Sequence, residues 1–295
     1  VNVPRGSELR SGPLRGTHTE CRFRTGHDLQ LWPLEIASVS YFTHAANLPV
    51  ARVPEWRKYG GGLRIRLRAT AGLDFGKIAL SDLRLYCSAN EDVAYRLHEL
   101  ICGHTLGALV LPVEGSAAPQ VLSGDCVRAV GFDDDHALLP VTLTGFAGYR
   151  LLQEYFAFPQ RFLFFDLAEL GPALRAMGGK EVELVLLFSR GDNSLQQTVD
   201  VQSLALNCVP AINLFEQRCD RIQVSERAHD FHVVVDRARP MDFEVIELLE
   251  VSGYGQGIES ERRFMPLYAA FHTEGHGHDA YYATQREPRL MSEKQ

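Results

Sequence analysis

The sequence predicts an α+β fold rich in β-structure, arranged as two β-sandwich-like lobes with short helices. Two observations carry this. Short apolar runs with strand-like alternation, each bounded by Gly, Pro, Asp or Ser, recur along most of the chain. Helical spacing, by contrast, is confined to two stretches.

Taken in order, the runs expected as strands are 28–36, 63–70, 79–87, 182–188, 199–208, 231–236 and 243–251. "GGG" at 60–62 opens the second of them and reads as a turn or flexible lead-in, because glycine tolerates positive φ. The first helix is expected near 91–103, where Val93, Leu97, Leu100 and Ile101 form one stripe and Gly103 supplies a stop. Segment 113–127 is small and polar and reads as an exposed connection. The second helix lies in "GYRLLQEYF" (148–156), with Leu151, Leu152, Tyr155 and Phe156 on one face. Pro159 ends it before "RFLFFDL" resumes as a strand. "GYGQG" (253–257) reads as a hairpin turn and not a dinucleotide loop, since no helix with apolar periodicity follows.

These patterns divide the chain into a first β-rich lobe (1–140, with the helix near 91–103), a second (141–251, with the aromatic segment 148–167) and a polar, partly mobile extension (252–295). The two lobes invite comparison. "LRIRLRAT…ALSDLRLYC…YRLHEL" runs in the same order as "VELVLLF…VQSLALNC…INLFEQ", matching Leu83, Leu85 and Cys87 to Leu204, Leu206 and Cys208. Internal duplication and chance likeness between two β-rich units both fit that match.

At 295 residues and 45% hydrophobic content the chain can bury a substantial core. A net charge of −7 and the lack of a basic run argue against sequence-independent nucleic-acid binding. Segment 148–167 holds seven rings in twenty residues and is long enough to cross a bilayer, but Arg150, Glu154, Arg161 and Asp166 are spread through it and Pro159 breaks it. Its rings therefore belong to a core, an interface or a ligand site. Six cysteines without a CxxC pair read as reduced thiols of a cytosolic protein. The uncapped ends, "VNVPRGSELR" and "REPRLMSEKQ", suggest a piece of a longer polypeptide.

No constellation supplies convergent catalytic groups. "HTEGHGHD" places His272, His276 and His278 at a spacing that suits a metal only loosely, and the glycines between them favour an exposed polar loop. "FDDDHALLP" groups Asp133, Asp134, Asp135 and His136, but lacks the Gly and Glu positions of a calcium loop and reads as a solvated acidic turn. Cys87 and Cys208 sit at apolar strand positions, where cysteine behaves as a small hydrophobe. Glu154, Asp166 and Glu216, set among rings, leave open a carbohydrate-binding or carbohydrate-cleaving β-sandwich, which needs two facing carboxylates.

Longer strings say more than composition. "CRFRTGHDLQLWPLEI" (21–36), "AYRLHELICGHTLG" (94–107), "GYRLLQEYFAFPQRFLFFDL" (148–167) and "CVPAINLFEQRCDRI" (208–222) closely resemble the TssF family of type VI secretion baseplate subunits, also called VasA or ImpG. The resemblance runs almost end to end, and family members are about twice as long. It implies a non-enzymatic role with no catalytic residue and no cofactor. TssF and TssG would form a wedge around the VgrG spike, joined by TssK, TssE and a second TssF copy. The contractile sheath would assemble on that platform, in the cytoplasm against the inner membrane, without insertion into it. A fold similar to contractile-phage wedge proteins is also implied. Under this reading Tyr149, Tyr155, Phe156 and Phe158 are expected chiefly to knit the second helix to the strand after it, with some rings left for a partner.

Overall fold

The computed structural model describes residues 1–12, 20–45, 48–49, 53, 56, 58–140, 146–255, 261–267 and 280–287. Four short strands open it: β1 (Asn2–Val3), β2 (Glu8–Arg10), β3 (Arg22–Thr25) and β4 (Leu29–Gln30). Then come β5 (Leu34–Phe42), β6 (Gly61–Ala69), β7 (Leu83–Cys87), helix α1 (Glu91–His104), β8 (Thr105–Pro112), β9 (Gln120–Ser123) and β10 (Val127–Val130). Helix α2 (Ala147–Ala157), β11 (Phe164–Leu167), α3 (Leu170–Met177), β12 (Glu181–Phe188), β13 (Leu204–Ala205) and β14 (Ala211–Ile212) follow. Three further strands are β15 (Val251–Tyr254), β16 (Glu261–Pro266) and β17 (Tyr281–Tyr282).

The β-rich expectation holds, and period-two burial explains the long strands. In β6, Leu63, Ile65, Leu67 and Ala69 are buried while Arg64, Arg66 and Arg68 alternate with them on the other face. In β12, Val182, Leu184, Leu186 and Phe188 join the main core, which also draws on β7, β11, α1 and α3. A five-stranded antiparallel sheet, β5-β6-β12-β8-β9, and a four-stranded one, β10-β11-β7-β13, both contribute to that core. Helix α1 starts where Asn90 accepts a hydrogen bond from the Val93 amide at 3.1 Å, with Glu91 and Asp92 in its first turn favouring the positive end of the dipole.

The other face of the five-stranded sheet is covered in two ways. Trp56, Leu109, Val185 and Leu187 form a small second core. Beside it runs a charge ladder: Arg64 meets Glu183 at 3.1 Å, Arg68 meets Glu35 at 2.9 Å, and Arg66 and Arg68 share Glu181. Glycine matters here for approach and not for backbone freedom. A side chain on Gly107 would run into the Trp56 ring and stand 2.5 Å from the Leu122 carbonyl, and one on Gly62 would enter the Phe42 ring. The "GGG" at 60–62 is thus a strand start packed under aromatic rings. Gly107→Val is expected to cost about 1–3 kcal/mol by overpacking, seen as a lower melting temperature with altered tryptophan fluorescence. An unchanged melt would show that Trp56 yields freely.

Several expectations are corrected. The division at 140/141 does not separate lobes, because β12 pairs with β6 along eight residue pairs and β11 pairs with β7, so strands from both sides interleave in the same sheets. The compact units are instead Val1–Phe215 and Glu216–Gln295. Of the supposed second copy of a repeat, 182–188 is a strand, β12, but the remaining elements are missing: 199–208 is a 3-10 turn and a two-residue strand, and 213–217 is not helical. There Asp200 and Ser203 close a capping box, local bonding that competes with strand pairing. Segment 113–127 contains β9, which pairs with β8. Runs 231–236 and 243–250 alternate like strands but pair with no strand among the described residues. In the second unit β15 and β16 pair antiparallel, so Gly253 and Tyr254 of the expected turn lie in the ladder, while 256 and 257 lie outside the described residues. Arg286 holds the Val245 and Ile246 carbonyls at 2.7 Å each.

Candidate protein–protein interface

Helix α2 carries its charges inward and its rings outward. Glu154 is 3% exposed, Arg161 in the following turn 2%. A carboxylate is costly to bury unless every oxygen is used. Here Glu154 Oε1 accepts the amides of Leu138 and Leu139 at 3.1 and 3.0 Å, and Oε2 accepts from Arg161 Nη1. Arg161 Nη2 donates to the Gly131 carbonyl and, at 3.3 Å, to that of His136, while its guanidinium lies 4.3 Å from the Phe162 centroid. Arg150, one turn before Glu154, reaches Asp134. The turn 131–139 is therefore held to helix α2 by backbone hydrogen bonds to a buried ion pair, with the Arg150–Asp134 pair beside them.

With that side committed, the rings of 148–167 divide. Phe162, Phe164 and Phe165 are buried, whereas Tyr149, Tyr155, Phe156 and Phe158 are exposed, Phe156 at 81%. The expected core packing of those four is overturned: the inward side of the helix is taken by Glu154, so the apolar side is left outside. Phe146, Phe132 and Leu152 extend the exposed set. Tyr155 packs against Phe156 and Phe162, with centroids 5.6 and 5.8 Å apart, and Phe132 lies 5.1 Å from Phe162. Tyr149, Leu152, Gln153, Phe156 and Ala157 line a shallow groove of about 760 Å³. Phe132 follows Gly131 ahead of an acidic run and Phe146 stands between Gly145 and Ala147, so no local apolar pattern marks either as part of this surface.

The other candidates do not converge. Asp166 is held by Arg84 through two 2.8 Å bonds, Glu154 is saturated as described, and Glu216 is exposed, so the facing pair of free carboxylates that sugar cleavage needs is not formed by these three. Burial raises the thiols of Cys87, Cys102 and Cys126, Cys102 to about 12, which makes them poor nucleophiles. Asp133, Asp135 and His136 bring one ligand atom each within 4.8 Å of one another, on an exposed turn. His272, His276 and His278 lie outside the described residues. Among the described residues no helix is long and apolar enough to cross a membrane.

An exposed aromatic face on a helix fixed by a buried ion pair suits protein contact. The family model described as "Type VI secretion system, TssF" matches residues 1–295. The chain belongs to the TssF family. The type VI secretion system component TssF1 of Pseudomonas aeruginosa is 44% identical over all 295 residues, and the chain spans 47% of that relative's length. A cryo-electron microscopy structure of a type VI secretion TssK-TssF-TssG baseplate subcomplex is similar over 93% of this TssF chain and 49% of the solved one, with a TM-score of 0.72 and 25% identity.

Proposed function

We propose that the chain is a structural, non-enzymatic part of a type VI secretion baseplate and that it contacts its partners through the exposed face of α2. The observation that carries this is the inversion of that helix: charges are spent inside, and Tyr149, Leu152 and Phe156 are presented outside. Apolar surface of this kind marks a contact site. Family membership and the likeness to a chain of a TssK-TssF-TssG assembly support TssG and TssK as partners. The finer reading, drawn from the family resemblance, is a wedge with TssG around a VgrG spike. It includes TssE, a second TssF copy and a sheath built on the platform, all in the cytoplasm against the inner membrane. The carbohydrate reading loses its support because Glu154 and Asp166 are both engaged by arginine.

Co-expression of the polypeptide that carries this sequence with the TssG and TssK homologues of its organism, followed by size-exclusion chromatography with light scattering, tests the role. A stable co-eluting complex is expected. A folded chain that elutes alone from both would overturn it.

A further inference from the structure

We infer that the occupant of the α2 face is a basic amphipathic helix from a baseplate partner, an inference that rests on the structural role just proposed. Tyr149, Leu152 and Phe156 follow a three-then-four spacing, the a–d–a step of a coiled-coil seam, and span about 10 Å of helix. Such a spacing presents knobs to a second helix, and Gln153 and Ala157 line the same groove. No charged side chain of α2 lies in the seam, because Arg150 and Glu154 are turned to the turn 131–139.

That turn supplies the charge that selects the partner. Phe132 and Tyr155 both pack on Phe162, so the acidic turn, which lies under the Arg150 and Glu154 side of α2, meets the ring surface at its Tyr155 edge. Asp133 and Asp135 are exposed there, and the side chain of Asp133 is 78% accessible. A helix with an apolar seam and Lys or Arg along the flank facing this turn is complementary in both shape and charge. A bilayer is not, since interfacial helices put basic residues beside their apolar face and anionic lipid would meet carboxylates here. A second copy docking through the same helix brings an identical acidic rim and gains no complementary charge.

The test places photoreactive benzoylphenylalanine at position 156 of the full polypeptide, co-expressed with its TssG and TssK homologues. The expected crosslink maps to a helical segment of one homologue that carries at least two Lys or Arg. A crosslink to an acidic or non-helical segment overturns the inference, as does one to a second copy or one within the same chain. So does the lack of any crosslink in a complex that co-elutes, an outcome that leaves the baseplate role standing. Failure of the unmodified protein to co-elute defeats that role and takes this inference with it. Independently, Asp133→Lys with Asp135→Lys is expected to weaken partner binding at least tenfold and to flatten its salt dependence, with melting unchanged. Unaltered affinity and salt dependence would overturn the charge assignment.

Discussion

Arg161→Leu is expected to lower the free energy of unfolding by about 3–5 kcal/mol, the cost of leaving a buried carboxylate without its counter-ion. Glu154 would keep the Leu138 and Leu139 amides but lose Arg161, and the Gly131 and His136 carbonyls would lose a donor. Denaturant titration measures the loss. The double variant Glu154→Leu, Arg161→Leu should recover part of it, because removing both ions removes the desolvation penalty with the attraction. If Arg161→Leu costs under about 1 kcal/mol, the range of an exposed pair, then the ion pair does not anchor α2. The outward display of Tyr149 and Phe156 would then need another cause.

The second large effect is acid lability centred on His27. This ring is 3% exposed and lies edge-on to Phe164 and His136, with centroids 5.7 and 5.5 Å away. Its Nδ1 stands 3.0 Å from Arg84 Nη1 and 3.1 Å from the Asp28 carbonyl; arginine only donates, so a ring that takes the Arg84 bond has Nδ1 accepting and its proton on Nε2. That Nε2 is buried with no partner among the described residues. Burial, then the Arg84 charge, lower the His27 pKa to about 4, against weaker opposition from the Asp28 carbonyl and Asp166. His136 is lowered in the same direction by burial and Arg84.

The unfolded chain therefore takes up protons that the folded one refuses. Stability is full above the ordinary histidine value near 6.5 and falls as pH drops from there toward 4, by about 3 kcal/mol for His27. Chemical denaturation at several pH values should show this slope, flattened in His27→Gln, which keeps an acceptor for Arg84 but does not titrate. An identical slope in the variant would assign the acid lability elsewhere.

How much of this was legible depends on how local the cause is. The place of α1 was readable from Val93, Leu97, Leu100 and Ile101, since a stripe lies within one stretch of chain, but Gly103 is not its stop: the helix runs through it to His104, and extended Thr105 ends it. The cores of β6 and β12 were readable from alternation in 63–70 and 182–188. Runs 231–236 and 243–250 alternate as well, yet pair with no described strand, because a ladder needs a partner edge that no local pattern records. The acidic turn was legible as exposed but not as the lock on α2, for its work is done by backbone amides of Leu138 and Leu139.

By itself, then, the sequence determined the β-rich class, the places of helices α1 and α2 and, through long collinear strings, membership of the TssF family. Only the tertiary structure decided that 140/141 is no boundary and that α2 turns its charged side inward. On an isolated helix the rings of Tyr149 and Phe156 are the natural side to bury. Burying Glu154 instead becomes favourable only when Arg161 and two amides from a distant turn meet all its oxygens, and that provision is made by the fold and not by the helix.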